Sequence, residues 1–177
     1  LFYNQLKEQA INHPKVYARS NLSKIQFPVI VKPIIKEYEN SRLENNQFVK
    51  TYSGKIVSAN NKKELLSILN RYHGSVIIQQ KIEFDLGDEY SCWVYANGEN
   101  LFVYSAQHKN KYPNKEGRIS RIGFVDVREV KEIGKEIVSK LDYKGIADIQ
   151  IVKNKIDSKY YVIEMNPRMW CSHEIFL

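Results

Sequence analysis

With 177 residues, of which 43% are hydrophobic, 12% aromatic and 27% charged, the chain has the composition of an ordinary globular protein of roughly one domain. Its 8 Gly, 5 Pro and 2 Cys exclude a collagen-like, a low-complexity or a disulfide-scaffold protein. The 27 Lys and Arg against 20 Asp and Glu leave a formal charge of +7, which points to an anionic partner without choosing among nucleic acid, nucleotide and phosphate.

No apolar run approaches the roughly 20 residues that cross a bilayer, and LFYNQLKEQAINHPKVY has neither the charged start nor the apolar centre of a signal peptide. A soluble, cytoplasmic protein with no membrane partner is expected. Cys92 and Cys171 lack C-x-x-C or Cys/His spacing and read as reduced, partly buried thiols. The chain opens as if in mid-helix and ends just after a strand-like segment, the pattern expected of a piece of a longer protein.

Phe2, Leu6 and Ile11 recur at near-helical spacing, and His13-Pro14 ends that element because the residue before proline avoids the helical region. A polar link leads to the apolar, β-branched run Phe27–Pro33, a strand that ends on Lys32. Residues 34–58 read as a flexible loop with a turn at Ser53-Gly54, feeding a strand. Asn60 or Asn61 caps a helix with an apolar stripe of Leu65, Leu66, Ile68 and Leu69, closed by Gly74. VIIQQKIE follows as a buried strand.

Asn97-Gly98, between EYSCWVYA and NLFVYS, is the strongest short-range hairpin signal, for a type I′ turn with positive φ at both positions. Between His108 and Arg121 the positive charge is concentrated in Lys109, Lys111, Lys115, Arg118 and Arg121 against the single Glu116, as a solvated loop or as a guide for an anion. Asp126 is placed to cap a second helix carrying Val130, Ile133, Ile137, Val138 and Leu141, with Gly145 after its end. GIADIQIV and KYYVIEMN then form an antiparallel pair. The sum is an α+β fold with antiparallel sheets and two principal helices.

The last two strands carry the most chemistry. Strand alternation sets Asp148 and Gln150 on one face and aligns Val162, Glu164 and Asn166. Paired, they gather Gln150, Glu164 and Asn166, and Asp148 beside them, into an all-oxygen set of the kind a hard cation selects. The alternative is a solvated strand followed by an Asn166-Pro167 turn. Arg168, one repeat further, makes sense beside a cation only with phosphate groups to offset both charges. Lys32 at a strand end can point at phosphate or simply terminate the strand. Gln79, Gln80 and Ile82 leave the VIIQQKI strand where adenine could be held, and Glu89 could bind ribose hydroxyls or be an edge-strand charge.

On the motifs FPVIVKP, VIIQQKIEFDLGDEYS, GIADIQIV and YYVIEMNPR, in this order over nearly the whole chain, the sequence resembles the ATP-grasp superfamily. The nearest resemblance is to its carbamoyl-phosphate-synthase-like, carboxylate–amine ligase branch, in which a Gln on one strand precedes Glu-Met-Asn-Pro-Arg on the next, as Gln150 precedes Glu164–Arg168 here. The resemblance implies an ATP-grasp fold of two α/β subdomains whose antiparallel sheets grip the nucleotide between them. Residues 1–24 would be a lead-in helix and linker from a preceding domain, 25–83 the small subdomain and 84–177 an incomplete large one.

By the same resemblance Lys32 meets the ATP phosphates, and Gln79 and Gln80 lie at the adenine, with Gln80 accepting from its amino group. Lys81 and Ile82 contact the ring through the main chain, and Glu89 holds the ribose. Gln150, Glu164 and Asn166 coordinate one or two Mg²⁺ or Mn²⁺ ions. Arg168 and Lys111 stand at the transferred phosphoryl group as catalytic residues. Gln80 replaces the glutamate most members carry, and residues 36–58 hold only Gly54 where the family's phosphate loop is glycine-rich. The implied activity is an ATP- and Mg-dependent ligase, carboxylate–amine or thiol type, that activates a carboxylate as an acyl-phosphate. Its partners would be a small carboxylate, an amine and the flanking domains. The alternatives are an ATP-binding module with little turnover and, from charge alone, a nucleic-acid-binding domain, for which no RNP-like motif or recognition helix stands in the sequence.

Overall fold

The computed structural model describes residues 2–33, 56–72, 75–112 and 118–169, the last with backbone alone at 118, and the backbone of 42–44 and 47–49. The chain forms two units, Leu1–His13 with Ile82–Leu177, and Pro14–Lys81. The expected lead-in 1–24 is thus shared between them: helix α1 (Phe2–Glu8) buries Leu6 in the first unit's core, while β1 (Val16–Tyr17) pairs inside the second.

In Pro14–Lys81 a four-stranded antiparallel sheet runs β1-β6-β2-β5, with β2 at Val29–Pro33, β5 at Val57–Ala59 and β6 at Val76–Gln80. Alternate residues Val29, Val31, Ala59 and Ile78 share one face and bury it against Leu65 and Leu69 of α2 (Lys62–Arg71). Asn61 starts α2: its side chain accepts from Glu64 N at 2.9 Å, while the Glu64 carboxylate accepts from Asn60 N at 2.9 Å, a reciprocal cap for two otherwise unbonded donors. Of the expected stripe, Leu66 faces solvent, because one apolar face at 3.6 residues per turn takes 65, 68 and 69 but not the residue between. Gly74 and the Ser53-Gly54 turn lie outside the described residues. The stretch 34–58 contributes β3 (Arg42–Glu44) paired with β4 (Gln47–Val49), and the start of β5.

The larger unit is a five-stranded antiparallel sheet, ordered β11-β10-β7-β8-β9, with β7 at Glu89–Ala96, β8 at Leu101–Tyr112, β9 at Arg118–Phe124, β10 at Gly145–Lys153 and β11 at Tyr160–Asn166. Helix α3 (Arg128–Lys140) covers one face, setting Val130, Ile137 and Val138 against Cys92, Val94, Ile149 and Ile151. It can approach closely because residue 134 is glycine: a Cβ there would stand 2.3 Å from Cys92 Sγ. The expected antiparallel pairs and α+β class are observed. No helix among the described residues is long and apolar enough to cross a membrane.

Three local expectations are corrected. The Asn97-Gly98 hairpin forms, but Ala96 pairs with Leu101, so the turn is not type I′: Gly98 alone has positive φ, at 94°, and the Asn97 side chain accepts from Glu99 N at 3.0 Å and Asn100 N at 2.7 Å. The asparagine closes a side-chain ring that mimics a backbone turn and needs no left-handed residue of its own. Asp126 does not cap α3; Val127 occupies that position with no side-chain bond, and Asp126 instead meets Lys131 Nζ at 2.5 Å. The basic stretch is not a solvated loop over its described residues, since Lys109, Lys111 and Arg121 sit on the paired strands β8 and β9. Lys115 and Glu116 lie outside the described residues.

Candidate functional site

The face of the five-stranded sheet turned away from α3 collects the polar residues. On β10 the α3 face takes Ala147, Ile149 and Ile151, so Asp148 and Gln150 take the other. Across the ladder Gln150 pairs with Glu164 and Asp148 with Asn166, which brings the expected metal-ligand set onto one face. The pairing requires a bulge. Ile151 pairs with Val162, the next pair is Gln150 with Glu164, and Ile163 is the extra residue. The expected alignment of Val162 with Glu164 is therefore corrected: Val162 turns into the α3 core, and Glu164 and Asn166 turn to the face away from α3.

Gln150, Glu164 and Asn166 are half-buried and Arg168 is exposed. Asp148 is buried, and burial pushes its carboxyl above the usual range; the Ser91 hydroxyl, His108 and Arg168 draw it down, and Glu164 pushes it up again. These groups are thus close enough to act on one carboxylate. The donor set is oxygen only, carries the charges of Glu164 and Asp148, and leaves one buried Asp148 oxygen without a hydrogen-bond partner, which fits a small hard cation.

A second polar cluster lies on the same face. Trp93, Ser91 and Glu89 of β7 share it with Tyr104, Ala106 and His108 of β8. Lys111 is three residues beyond His108 and would face the other way in a regular strand. A bulge at Lys109, between the pairs His108–Ile122 and Asn110–Arg121, restores it to this side, and a second shift before Lys111 leaves Ser120 as the extra residue on β9. Lys111 Nζ then meets Glu89 Oε2 at 2.6 Å, and His108 Nδ1 lies 3.2 Å from Glu89 Oε1. Neither contact has hydrogen-bond geometry. His108 Nε2 is 3.1 Å from Ser91 Oγ. Burial pushes the Glu89 carboxyl up, and His108 and Lys111 more than reverse this, holding it below its ordinary range.

Glu89, expected at the ribose, is 4% exposed and faces Lys111 and His108. His108 and Ser91 were not read as site residues from the sequence. Their signal is the alternation Glu89, Ser91 against Ala106, His108, which acquires meaning only once the register of β7 and β8 is known.

In the smaller unit Lys32 and Gln79 share the face away from α2, because Ile30 pairs with Gln79 and Lys32 with Ile77 while Val31 and Ile78 face the core. Gln79 is fully buried, and neither atom of its side-chain amide has a hydrogen-bond partner. Gln80 alternates to the other face, and its side-chain oxygen accepts from Lys15 N at 3.3 Å. Lys81 N donates to Pro28 O at 3.1 Å. Ile82, in the larger unit, is buried.

A family model described as an ATP-grasp domain matches residues 1–172. Among solved structures, N5-carboxyaminoimidazole ribonucleotide synthetase from Thermotoga maritima superposes with a TM-score of 0.65 at 18% identity, over 97% of this chain and 41% of that one. L-amino acid ligase from Bacillus licheniformis gives 0.63 at 20% identity, over 96% and 39%. Carboxyaminoimidazole ribonucleotide synthase from Aspergillus clavatus, complexed with ATP, gives 0.67 at 12% identity, over 96% and 44%. The chain therefore spans about two-fifths of the length of these structures. No curated protein matches it.

Proposed function

The chain belongs to the ATP-grasp domain family, and on that premise we propose that it is the nucleotide-binding part of an ATP-dependent ligase that activates a carboxylate as an acyl-phosphate. The observation that carries the reading is the β10–β11 register, with its bulge at Ile163, which sets Gln150, Glu164 and Asn166 side by side next to buried Asp148.

In the proposed reaction a carboxylate oxygen attacks the γ-phosphorus and the bond to the bridging oxygen breaks. ADP leaves, and an amine then displaces phosphate to form a C–N bond. Such transfer needs positioning and charge neutralisation rather than a protein nucleophile. Gln150, Glu164 and Asn166 would hold Mg²⁺, which when bound supplies positive charge at the β- and γ-phosphate oxygens. Arg168 and Lys111 supply further positive charge to the transferred group, and Lys32 binds the ATP phosphates. Gln79 offers an unpartnered amide, one donor side and one acceptor, for the adenine edge, with the main chain of Lys81 and Ile82 beside it. Residues 25–83 and 84–177 are assigned to the small and large subdomains of the family's fold.

Calorimetric titration of a non-hydrolysable ATP analogue, with and without Mg²⁺, into the wild type and Glu164→Ala tests the reading. Binding that requires Mg²⁺ and weakens at least tenfold in the variant is expected. Mg²⁺-independent binding, or equal affinity of both proteins, refutes the metal assignment. Absence of binding by the wild type refutes the function.

A further inference from the structure

The nucleotide reading makes no use of His108, which is completely buried on a polar sheet face. Its two ring nitrogens are both engaged, Nε2 at 3.1 Å from Ser91 Oγ and Nδ1 at 3.2 Å from Glu89 Oε1. Ser91, on the strand paired with β10, also draws the Asp148 carboxyl down, and the second Glu89 oxygen meets Lys111 Nζ at 2.6 Å. The result is a row, Asp148, Ser91, His108, Glu89 and Lys111, across three strands.

A serine, an imidazole and a carboxylate in this order also describe a nucleophilic triad. That use is excluded here by access: Ser91 is 4% exposed. The row can orient groups but cannot present an attacking oxygen. Its two ends are what matter. One is Asp148, adjacent in the ladder to Asn166 and two residues from Gln150; the other is Lys111, a long flexible cation whose ammonium would sample many rotamers without an anchor.

We infer that His108 is a positioning residue: seated between Ser91 and Glu89, it fixes the Glu89 carboxylate, and Glu89 fixes Lys111 for the transferred phosphoryl group. This rests on the nucleotide reading for the place of the phosphate, and it gives Glu89 the task of anchoring Lys111. The imidazole does two things that a hydrophobic filler of equal size cannot. It sets a polar nitrogen against Glu89, and it ties that nitrogen through the rigid ring to Ser91 and the strand that carries Glu89.

The test compares substitutions that keep different halves of the ring. His108→Asn leaves an amide group where Nδ1 faces Glu89; His108→Gln leaves one where Nε2 faces Ser91; His108→Leu keeps the volume and neither contact. The affinity of Mg²⁺ with a non-hydrolysable ATP analogue is measured by calorimetry for each, for Lys111→Met, and for the double variant His108→Gln/Lys111→Met, with thermal unfolding as a control for folding. Lys111→Met is expected to weaken binding about tenfold or more, as for loss of a charge-assisted contact. His108→Gln and His108→Leu are expected to weaken it about five- to tenfold, His108→Asn to stay within about twofold, and the double variant to bind no more weakly than Lys111→Met alone.

Equal affinities for His108→Asn and His108→Gln, or losses that multiply in the double variant, overturn the inference, and the Asn and Gln pair decides it even where His108→Leu fails to fold. Normal binding by Lys111→Met overturns it as well while leaving the nucleotide reading intact. Absence of binding by the wild type overturns both.

Discussion

Replacing Lys111 by methionine removes the cation from a buried pair while keeping most of its aliphatic stem. The side chains of Lys111 and Glu89 are 13% and 6% exposed and 2.6 Å apart. At an effective dielectric of about 20 two unit charges at that separation attract by about 6 kcal/mol. The net loss is smaller, because the wild-type lysine gave up hydration to make the pair and because His108 stays 3.2 Å from the same carboxylate. A destabilisation of about 3 kcal/mol at pH 7 is expected, at the low end for removing one partner of a buried pair. For a chain of this length that corresponds to a fall in Tm of roughly 6–12 °C. The pH dependence is the stronger check. In the wild type the Glu89 carboxyl is held below its ordinary 4.5, so its contribution to stability is present above that value and fades as pH falls through the lower folded value. In the variant burial prevails and the folded value rises, so the penalty is present at neutral pH and is relieved as Glu89 takes up a proton. Asp148 titrates in both proteins and cancels in the difference. Urea unfolding at pH 7 and near pH 4 should therefore show the difference between wild type and variant shrinking to about 1 kcal/mol or less in acid. A difference that stays constant or grows would falsify the account of Glu89 as a buried, ionised anchor.

Three further outcomes follow from the packing. Gly134→Ala should gain about 1 kcal/mol in helix propensity yet lose about 1–3 kcal/mol from a Cβ 2.3 Å from Cys92 Sγ, and Cys92→Ala in the same chain should recover part of the loss; a stabilised Gly134→Ala in urea unfolding contradicts the close approach of α3. Asn61→Ala should cost about 1 kcal/mol by removing the bond to Glu64 N, with an unchanged midpoint counting against the cap. Burial, then the nearby Asp148 charge, pushes the Cys92 thiol up to about 12, so alkylation resolved by peptide mapping at pH 8 should leave Cys92 unmodified in the native protein and modify it in denaturant; rapid native labelling would show an open core.

Elements whose signals are local were legible in the sequence. An asparagine cap before Leu65, the Asn97-Gly98 pair and the three-four spacing of Val130, Ile137 and Val138 each act within a few residues, and α2, α3 and the β7–β8 hairpin stand where those signals put them, whereas α1 ends at Glu8, before Ile11 and the expected stop at His13-Pro14. The family motif around Glu164 and Asn166 was legible for the same reason, being contiguous and tied to one strand pair. Register was not, because it is decided by which partner strand a residue meets. Period-two alternation wrongly joined Val162 to Glu164, and by the same rule His108 and Lys111 would fall on opposite faces; bulges at Ile163 and Lys109 reverse both relations. The sequence by itself therefore determined the two principal helices, the β7–β8 and β10–β11 pairings and the oxygen-donor residues. Only the tertiary structure decided that His108, Ser91 and Lys111 join Glu89 in one buried row, since a single extra residue in a strand turns every later side chain to the other face and leaves no mark in composition or spacing.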